Sequence, residues 1–98
     1  MNKDEKMFEE ITTKMLETYK AKNHDYGNSV SKTYKEFGLT SFLVRLSDKL
    51  NRLITLNKKE ALVKEESIED TLLDMAVYSI LALIEFKRER EGKWNVSN

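Results

Sequence analysis

The sequence predicts an all-α protein, a small helical bundle of three long helices and one short helix. Apolar residues recur at intervals of three and four along most of the chain, which is the spacing of one helical face. No segment shows the strict apolar and polar alternation of a half-buried strand. Proline is absent, and the only glycines, Gly27, Gly38 and Gly92, lie where the periodic segments end.

The first long helix is predicted from about Asp4 to Lys22, with Asp4 as its N-cap. Its apolar face consists of Phe8, Ile11, Met15 and Tyr19. The polar stretch HDYGNS, residues 24–29, is expected to end this helix. A short helix is predicted over residues 30–37, and it ends at Gly38 in the C′ position, where glycine is favoured.

The third helix is predicted over residues 41–57, with Thr40 or Ser41 as its N-cap. A charged connection, KKEALVKEE, follows it. The last helix is predicted from about Ser67 to Arg90, because Ser67 and an aspartate three residues later resemble a capping box. Residues 91–98 are expected to form a loose tail.

The size and composition of the chain limit its class. Its 98 residues are expected to form one domain over residues 1–98. The 17 basic and 17 acidic residues cancel, which argues against binding of duplex nucleic acid through a bulk positive field. Cysteine is absent, so disulfides and thiolate metal sites are excluded. The chain shows neither a signal peptide nor the roughly 20 apolar residues that span a bilayer, so we expect a cytoplasmic protein without membrane contact.

The last helix is apolar around nearly its whole circumference, yet it carries Glu66, Asp70 and Asp74 at intervals of four. Carboxylates on a buried helix are costly unless they are paired or bound to metal. One interpretation is that Glu66 and Asp70 favour the helix N-terminus through its dipole while Asp74 pairs with a basic side chain. The other is that they hold a divalent cation such as Mg²⁺, which suits carboxylate oxygens. A helix this apolar in so small a chain also predicts a homo-oligomer, a dimer or larger, that completes the bundle.

A mostly basic stripe is predicted on the third helix, where Arg45, Asp48, Lys49 and Arg52 share one face. One interpretation is a solvated polar face without a functional role. The alternative is a phosphate site, because arginine offers a planar fork of donors. This basic stripe and the acidic series on the last helix are expected to pair directly or to hold a ligand between them.

The polar stretch before Ser29 supplies further candidates for ligand binding, namely Asn23, His24, Asp25, Tyr26 and Asn28. A single histidine is most often structural, and Asp, Gly and Asn are ordinary turn residues. Tyr26, however, offers a ring for stacking on a base, and the amide and imidazole groups can bond to a base edge or a ribose.

Three segments, KNHDYGNS, RLSDKLNRL and EESIEDTLLDMAVYSILALI, resemble the nucleotide modification associated domain family, type one. The resemblance covers about residues 8–86. Members of that family are small helical proteins that are frequent in phage genomes, so the resemblance implies a link to nucleotides and, for a phage-encoded chain, a place in the host cytoplasm.

The chain is more distantly similar to the MazG-like all-α nucleoside triphosphate pyrophosphatases, which hold Mg²⁺ with E-x-x-E and E-x-x-D motifs. By this similarity Asp48 ends the first motif and Asp74 ends the second. Arg45 and Thr71 stand where that pattern has glutamate, and we expect the nearby acids Asp70 and Glu66 to take the place of the missing carboxylates.

Three functions follow. The favoured one is binding or sequestration of a phosphorylated nucleotide, such as a signalling nucleotide. The alternative is Mg²⁺-dependent hydrolysis of a nucleoside triphosphate by a pyrophosphatase-like enzyme. The third is a non-catalytic interaction protein whose helices only pair with a partner.

Overall fold

The computed structural model describes residues 2–26, 29–58 and 64–92. In these ranges the chain forms three long helices and one short helix and contains no strand, which confirms the all-α class. The helices are α1 (Lys3–Tyr26), α2 (Ser29–Phe37), α3 (Thr40–Asn57) and α4 (Lys64–Arg90). The chain divides into two compact units, Met1–Val30 and Ser31–Asn98, which are described separately.

The first unit contains α1, whose start and end both differ from the prediction. The backbone N–H of Glu5 donates to Asn2 Oδ1 at 2.8 Å, and the Asn2 N–H donates to Glu5 Oε1 at 3.4 Å. This is a capping box, so Asn2 is the N-cap and Asp4 lies in the first turn. The helix also continues four residues beyond Lys22 to Tyr26. Polar residues cost only a few tenths of a kcal/mol each inside a helix, so NHDY did not end it.

In the second unit α2 and α3 are separated by a tight turn at Gly38. Gly38 has a φ of 66°, and its N–H donates to the Tyr34 carbonyl at 2.6 Å, which confirms the predicted C′ glycine. The predicted cap of α3 is wrong. Leu39 occupies the N-cap position without a side-chain bond, and the Ser41 hydroxyl instead donates backwards to the Gly38 carbonyl at 2.9 Å.

The α4 helix begins at Lys64, three residues earlier than predicted. Ser67 is therefore inside the helix rather than its cap, and its carbonyl accepts a 2.7 Å hydrogen bond from the Thr71 hydroxyl. The predicted end at Arg90 is confirmed, and Gly92 follows with a φ of 68°. Residues 59–63 of the charged connection and residues 93–98 of the predicted tail lie outside the described residues.

The second unit is held by α2, α3 and α4. The Tyr34 and Phe42 rings are buried, with their centroids 5.8 Å apart and their planes inclined by 51°, and they join α2 to α3. The α3 and α4 helices pack against each other. Arg45 contacts Tyr78 while Lys49 contacts Asp74, so the residue number falls along α4 as it rises along α3. The two helices are therefore antiparallel.

The apolar circumference of α4 is only partly covered within the chain. Several large apolar side chains of this helix are exposed: Leu72, Ile80, Leu83 and Phe86. Within the described ranges, no helix combines the length and the apolar character needed to span a bilayer.

Candidate functional site

The centre of the candidate site is the contact between the basic stripe of α3 and the acidic series of α4. The Lys49 Nζ atom lies 3.0 Å from Asp74 Oδ2. The two side chains retain 29% and 48% of their full exposure. The expected pairing of Asp74 with a basic residue is thus confirmed, whereas its expected burial is wrong. Asp74 lies at the edge of the α3 and α4 contact, where water still solvates its carboxylate.

One turn away along α3, Arg45 contacts Tyr78 in two ways. Its NH1 group donates to the tyrosine hydroxyl at 3.4 Å, and its guanidinium carbon lies 5.5 Å from the centre of the ring. The second distance is that of a cation–π contact. The Arg45 guanidinium therefore lies along Tyr78, and its remaining N–H groups are available to a ligand.

The other predicted residues of the two stripes are exposed. The side chain of Arg52 on α3 forms no hydrogen bond or ion pair with another described residue, and neither does that of Asp48. The same holds for Glu66 and Asp70 on α4. Within the basic stripe and the acidic series, Lys49 and Asp74 are the pair of side chains that form an ion pair between described residues.

The metal site predicted from Asp48, Glu66, Asp70 and Asp74 stays a prediction. Among the residues that the structure describes, no group of three or more acidic or histidine side chains is arranged to hold a metal ion. Carboxylates on one helix at intervals of four point in similar directions, but a shared face does not bring their oxygens to a common point.

The polar stretch of residues 23–29 was predicted to lie outside the helices, and part of it does not. Its first part is helical, because α1 continues to Tyr26. The side chains of Asn23, His24, Asp25 and Tyr26 lie outside what the structure describes, as does the whole of Asn28. Their role in ligand binding therefore stays a prediction.

Sequence reasoning missed a polar cluster between α2 and α4. Glu85 is only 4% exposed, and its Oε1 atom accepts hydrogen bonds from the Ser31 hydroxyl at 2.5 Å and from Arg88 NH1 at 3.2 Å. Arg88 NH1 also lies 3.3 Å from Ser31 Oγ. Glu85 Oε2 is buried and has no hydrogen-bond partner among the residues that the structure describes. A buried carboxylate is costly, so Ser31 and Arg88 offset that cost through one oxygen.

Tyr34 completes this cluster. Its hydroxyl donates to Glu89 Oε2 at 3.0 Å, and the side chain is buried. Burial, the hydrogen bond to Glu89 and the negative charges of Glu89 and Glu85 together raise the pKa of Tyr34 above its ordinary value of 10.0. The cluster therefore fixes α2 against the C-terminal half of α4. A glutamate inside the apolar run SILALIEF is the signal in the sequence that points to it.

The described residues define a small all-helical protein with a charged surface along two antiparallel helices. The chain belongs to the nucleotide modification associated domain 1 family, whose model matches residues 22–86. All the candidate site residues lie inside that range. This match confirms the family expected from the sequence, and the name of that family links it to nucleotide modification. Similarity to the MazG-like pyrophosphatases and an origin in phage stay predictions. No curated protein and no solved structure gave a significant match.

Proposed function

We propose that the protein binds a phosphorylated nucleotide, without hydrolysing it, at the basic stripe of α3. The observation that carries the proposal is the presentation of Arg45, Lys49 and Arg52 along one edge of the α3 and α4 contact, inside the range matched by a nucleotide-related family. Phosphate is the group on a nucleotide that such side chains bind best.

The contacts in the stripe leave donors for a phosphate. Lys49 has three N–H donors and uses one on Asp74, and the guanidinium of Arg45 has five and uses one on Tyr78. Arg52 is exposed, and its side chain forms no hydrogen bond or ion pair with another described residue, so its whole guanidinium fork remains available. Asp74 and Tyr78 hold the first two side chains in place, which lowers the entropy lost when a ligand binds.

The non-hydrolytic form of the proposal follows from the acidic series. Its Asp74 is already neutralised by Lys49, and a pyrophosphatase needs several carboxylates to gather on one or two metal ions. In the proposed role the protein sequesters or senses its nucleotide, as a homo-oligomer in the cytoplasm, or in the host cytoplasm if the chain is phage-encoded. Asn23, His24, Asp25, Tyr26 and Asn28 contact the base or the ribose in this proposal.

The test is incubation with a panel of mono-, di-, tri- and cyclic nucleotides, with and without Mg²⁺, followed by ion-exchange chromatography and calorimetric titration. Retention of an intact nucleotide supports the proposal. Release of pyrophosphate or phosphate in Mg²⁺ supports the hydrolase alternative and overturns the proposal of binding without hydrolysis. Absence of both binding and turnover supports the interaction protein.

A second arm locates the site. Arg52→Gln removes a charge without breaking a hydrogen bond or ion pair between described residues, and we expect the affinity for the best nucleotide to fall about tenfold, as for one lost charged hydrogen bond. Lys32→Gln is the matched control, because Lys32 is also exposed but lies on α2, beside the far end of α4. Equal losses in both variants indicate a general charge effect rather than a site.

A further inference from the structure

The outer face of α4 is the series of residues that lies roughly 140° around the helix from Asp74 and Tyr78, at about 100° per residue. Its members follow one another at alternating intervals of four and three: Glu65, Glu69, Leu72, Ala76, Ser79, Leu83, Phe86 and Arg90. This is the spacing of a seam between two long helices. Leu72, Leu83 and Phe86 are all exposed, so the residues that the structure describes leave this face largely uncovered.

The order of residues is symmetric in the central part of this face, from Leu72 to Leu83, whereas farther out Glu69 corresponds to Phe86. Leu72 and Leu83 lie at equal distances from the midpoint, and the two small residues Ala76 and Ser79 flank it. Small residues at the midpoint allow two helix axes to approach closely. A second α4 that runs antiparallel therefore places Leu72 against Leu83 and Ala76 against Ser79, twice each, because a two-fold contact is self-complementary.

The charges favour the same direction. The first turn of α4 is acidic, with Glu65 and Glu66, and its last turn is basic, with Lys87, Arg88 and Arg90. A parallel partner helix places acid against acid at one end and base against base at the other. An antiparallel partner places Glu65 against Arg90 at both ends.

We propose that two copies of this protein associate through the outer face of α4, antiparallel, with the two-fold axis between Ala76 and Ser79. Two copies of a helix of 27 residues, about 40 Å long, form the contact. The outer face lies on the other side of α4 from Lys49 and Asp74. Association through this face therefore does not depend on nucleotide binding at the basic stripe. Each copy keeps its own α3 and α4 surface open to solvent.

The experiment is sedimentation equilibrium of the full chain over the micromolar range. We expect a dimer for the parent and a monomer for Leu83→Glu, since a carboxylate at the seam is desolvated on association. Leu43→Glu is the control, because Leu43 on α3 is 54% exposed and Leu83 is 53% exposed, so both changes cost the fold similarly little. Circular dichroism checks that each variant keeps its helix content. A monomeric parent, or a dimer that persists in Leu83→Glu, overturns the proposal.

Charge reversal tests the direction. Glu65→Arg alone and Arg90→Glu alone each place like charges together at both ends of an antiparallel pair. We expect each change to raise the dissociation constant of the dimer at least tenfold. The double variant restores opposite charges and should restore the dimer. In a parallel pair each residue faces its own copy, so the single reversals change little. Dimerisation that is insensitive to the single reversals overturns the antiparallel arrangement.

Discussion

The Lys49 ammonium lies 3.0 Å from the Asp74 carboxylate, and this ion pair joins the middle of α3 to the middle of α4. Both partners remain in contact with water, Asp74 more than Lys49. Exposed ion pairs contribute little to stability, typically less than about 1 kcal/mol, because water already solvates both charges. The main effect of the ion pair between Lys49 and Asp74 is therefore on the local electrostatic potential at the basic stripe.

Asp74→Asn tests this assignment. The change keeps the shape of the side chain, so we expect the free energy of unfolding in urea to fall by less than about 1 kcal/mol. Lys49 loses its counter-charge, so nucleotide affinity measured without Mg²⁺ should stay equal or rise by a few fold. A fall in affinity of tenfold or more without Mg²⁺ contradicts the proposed arrangement and indicates that Asp74 contacts the ligand.

Ser31→Ala removes the hydroxyl that donates to the buried oxygen of Glu85. A hydrogen bond to a charged group contributes about 1.5 to 3 kcal/mol, so the free energy of unfolding should fall by about that amount. Ser47→Ala is the control, because Ser47 is exposed on α3 and its hydroxyl forms no hydrogen bond with another described residue. Equal urea midpoints for the two variants indicate that the Ser31 contact contributes nothing.

Tyr34 makes stability depend on alkaline pH. Because its pKa is higher in the folded chain than in the unfolded one, the folded state holds the proton more tightly. Its contribution is complete below pH of about 10 and is lost as the pH rises through the folded-state pKa. Urea unfolding of the parent between pH 9 and 11 should therefore show a steeper loss of stability than that of Tyr34→Phe. Parallel pH profiles contradict the raised pKa.

Asp25→Asn and Tyr26→Ala test the polar stretch that follows Lys22. Each should leave helicity unchanged and weaken binding of the best nucleotide about tenfold, since a charged hydrogen bond or one stacked base contributes at least about 1 kcal/mol. Titration calorimetry measures the affinity and circular dichroism the helicity. Normal folding with parental affinity in both variants assigns the stretch a purely structural role.

The helices themselves were largely predictable from the sequence, and α3 shows why. Leu43, Leu46, Leu50 and Leu53 recur at the helical interval, and Gly38 marks the preceding turn, so the predicted start of α3 differs from the observed one by a single residue. The cap residues were less predictable. Ser41 and Ser67 have the right side chains for a cap, but serine can also take other roles in a helix. The Ser41 hydroxyl donates to the preceding Gly38 carbonyl, and the backbone carbonyl of Ser67 accepts a bond from Thr71.

The candidate site was predictable only where it depends on spacing within one helix. The stripe of Arg45, Lys49 and Arg52 follows from an interval of three or four, and the pairing of Asp74 with a base follows from its charge. Ser31 and Glu85 are 54 residues apart in the sequence, so no local pattern joins them. The choice of Lys49 as the partner of Asp74 likewise depends on the register of two antiparallel helices, which packing decides.

The exposed apolar side chains of α3, among them Leu43 and Val44, also decide how the protein behaves at high concentration. With equal numbers of acidic and basic residues and an isoelectric point near 6.6, the copies carry almost no mutual repulsion near neutral pH. Apolar attraction between copies is then opposed by little long-range force. Colloidal stability should rise as the pH moves above neutrality and the chain gains net negative charge. Light scattering over a series of concentrations gives the second virial coefficient at each pH, and this coefficient should change from negative to positive as the pH rises.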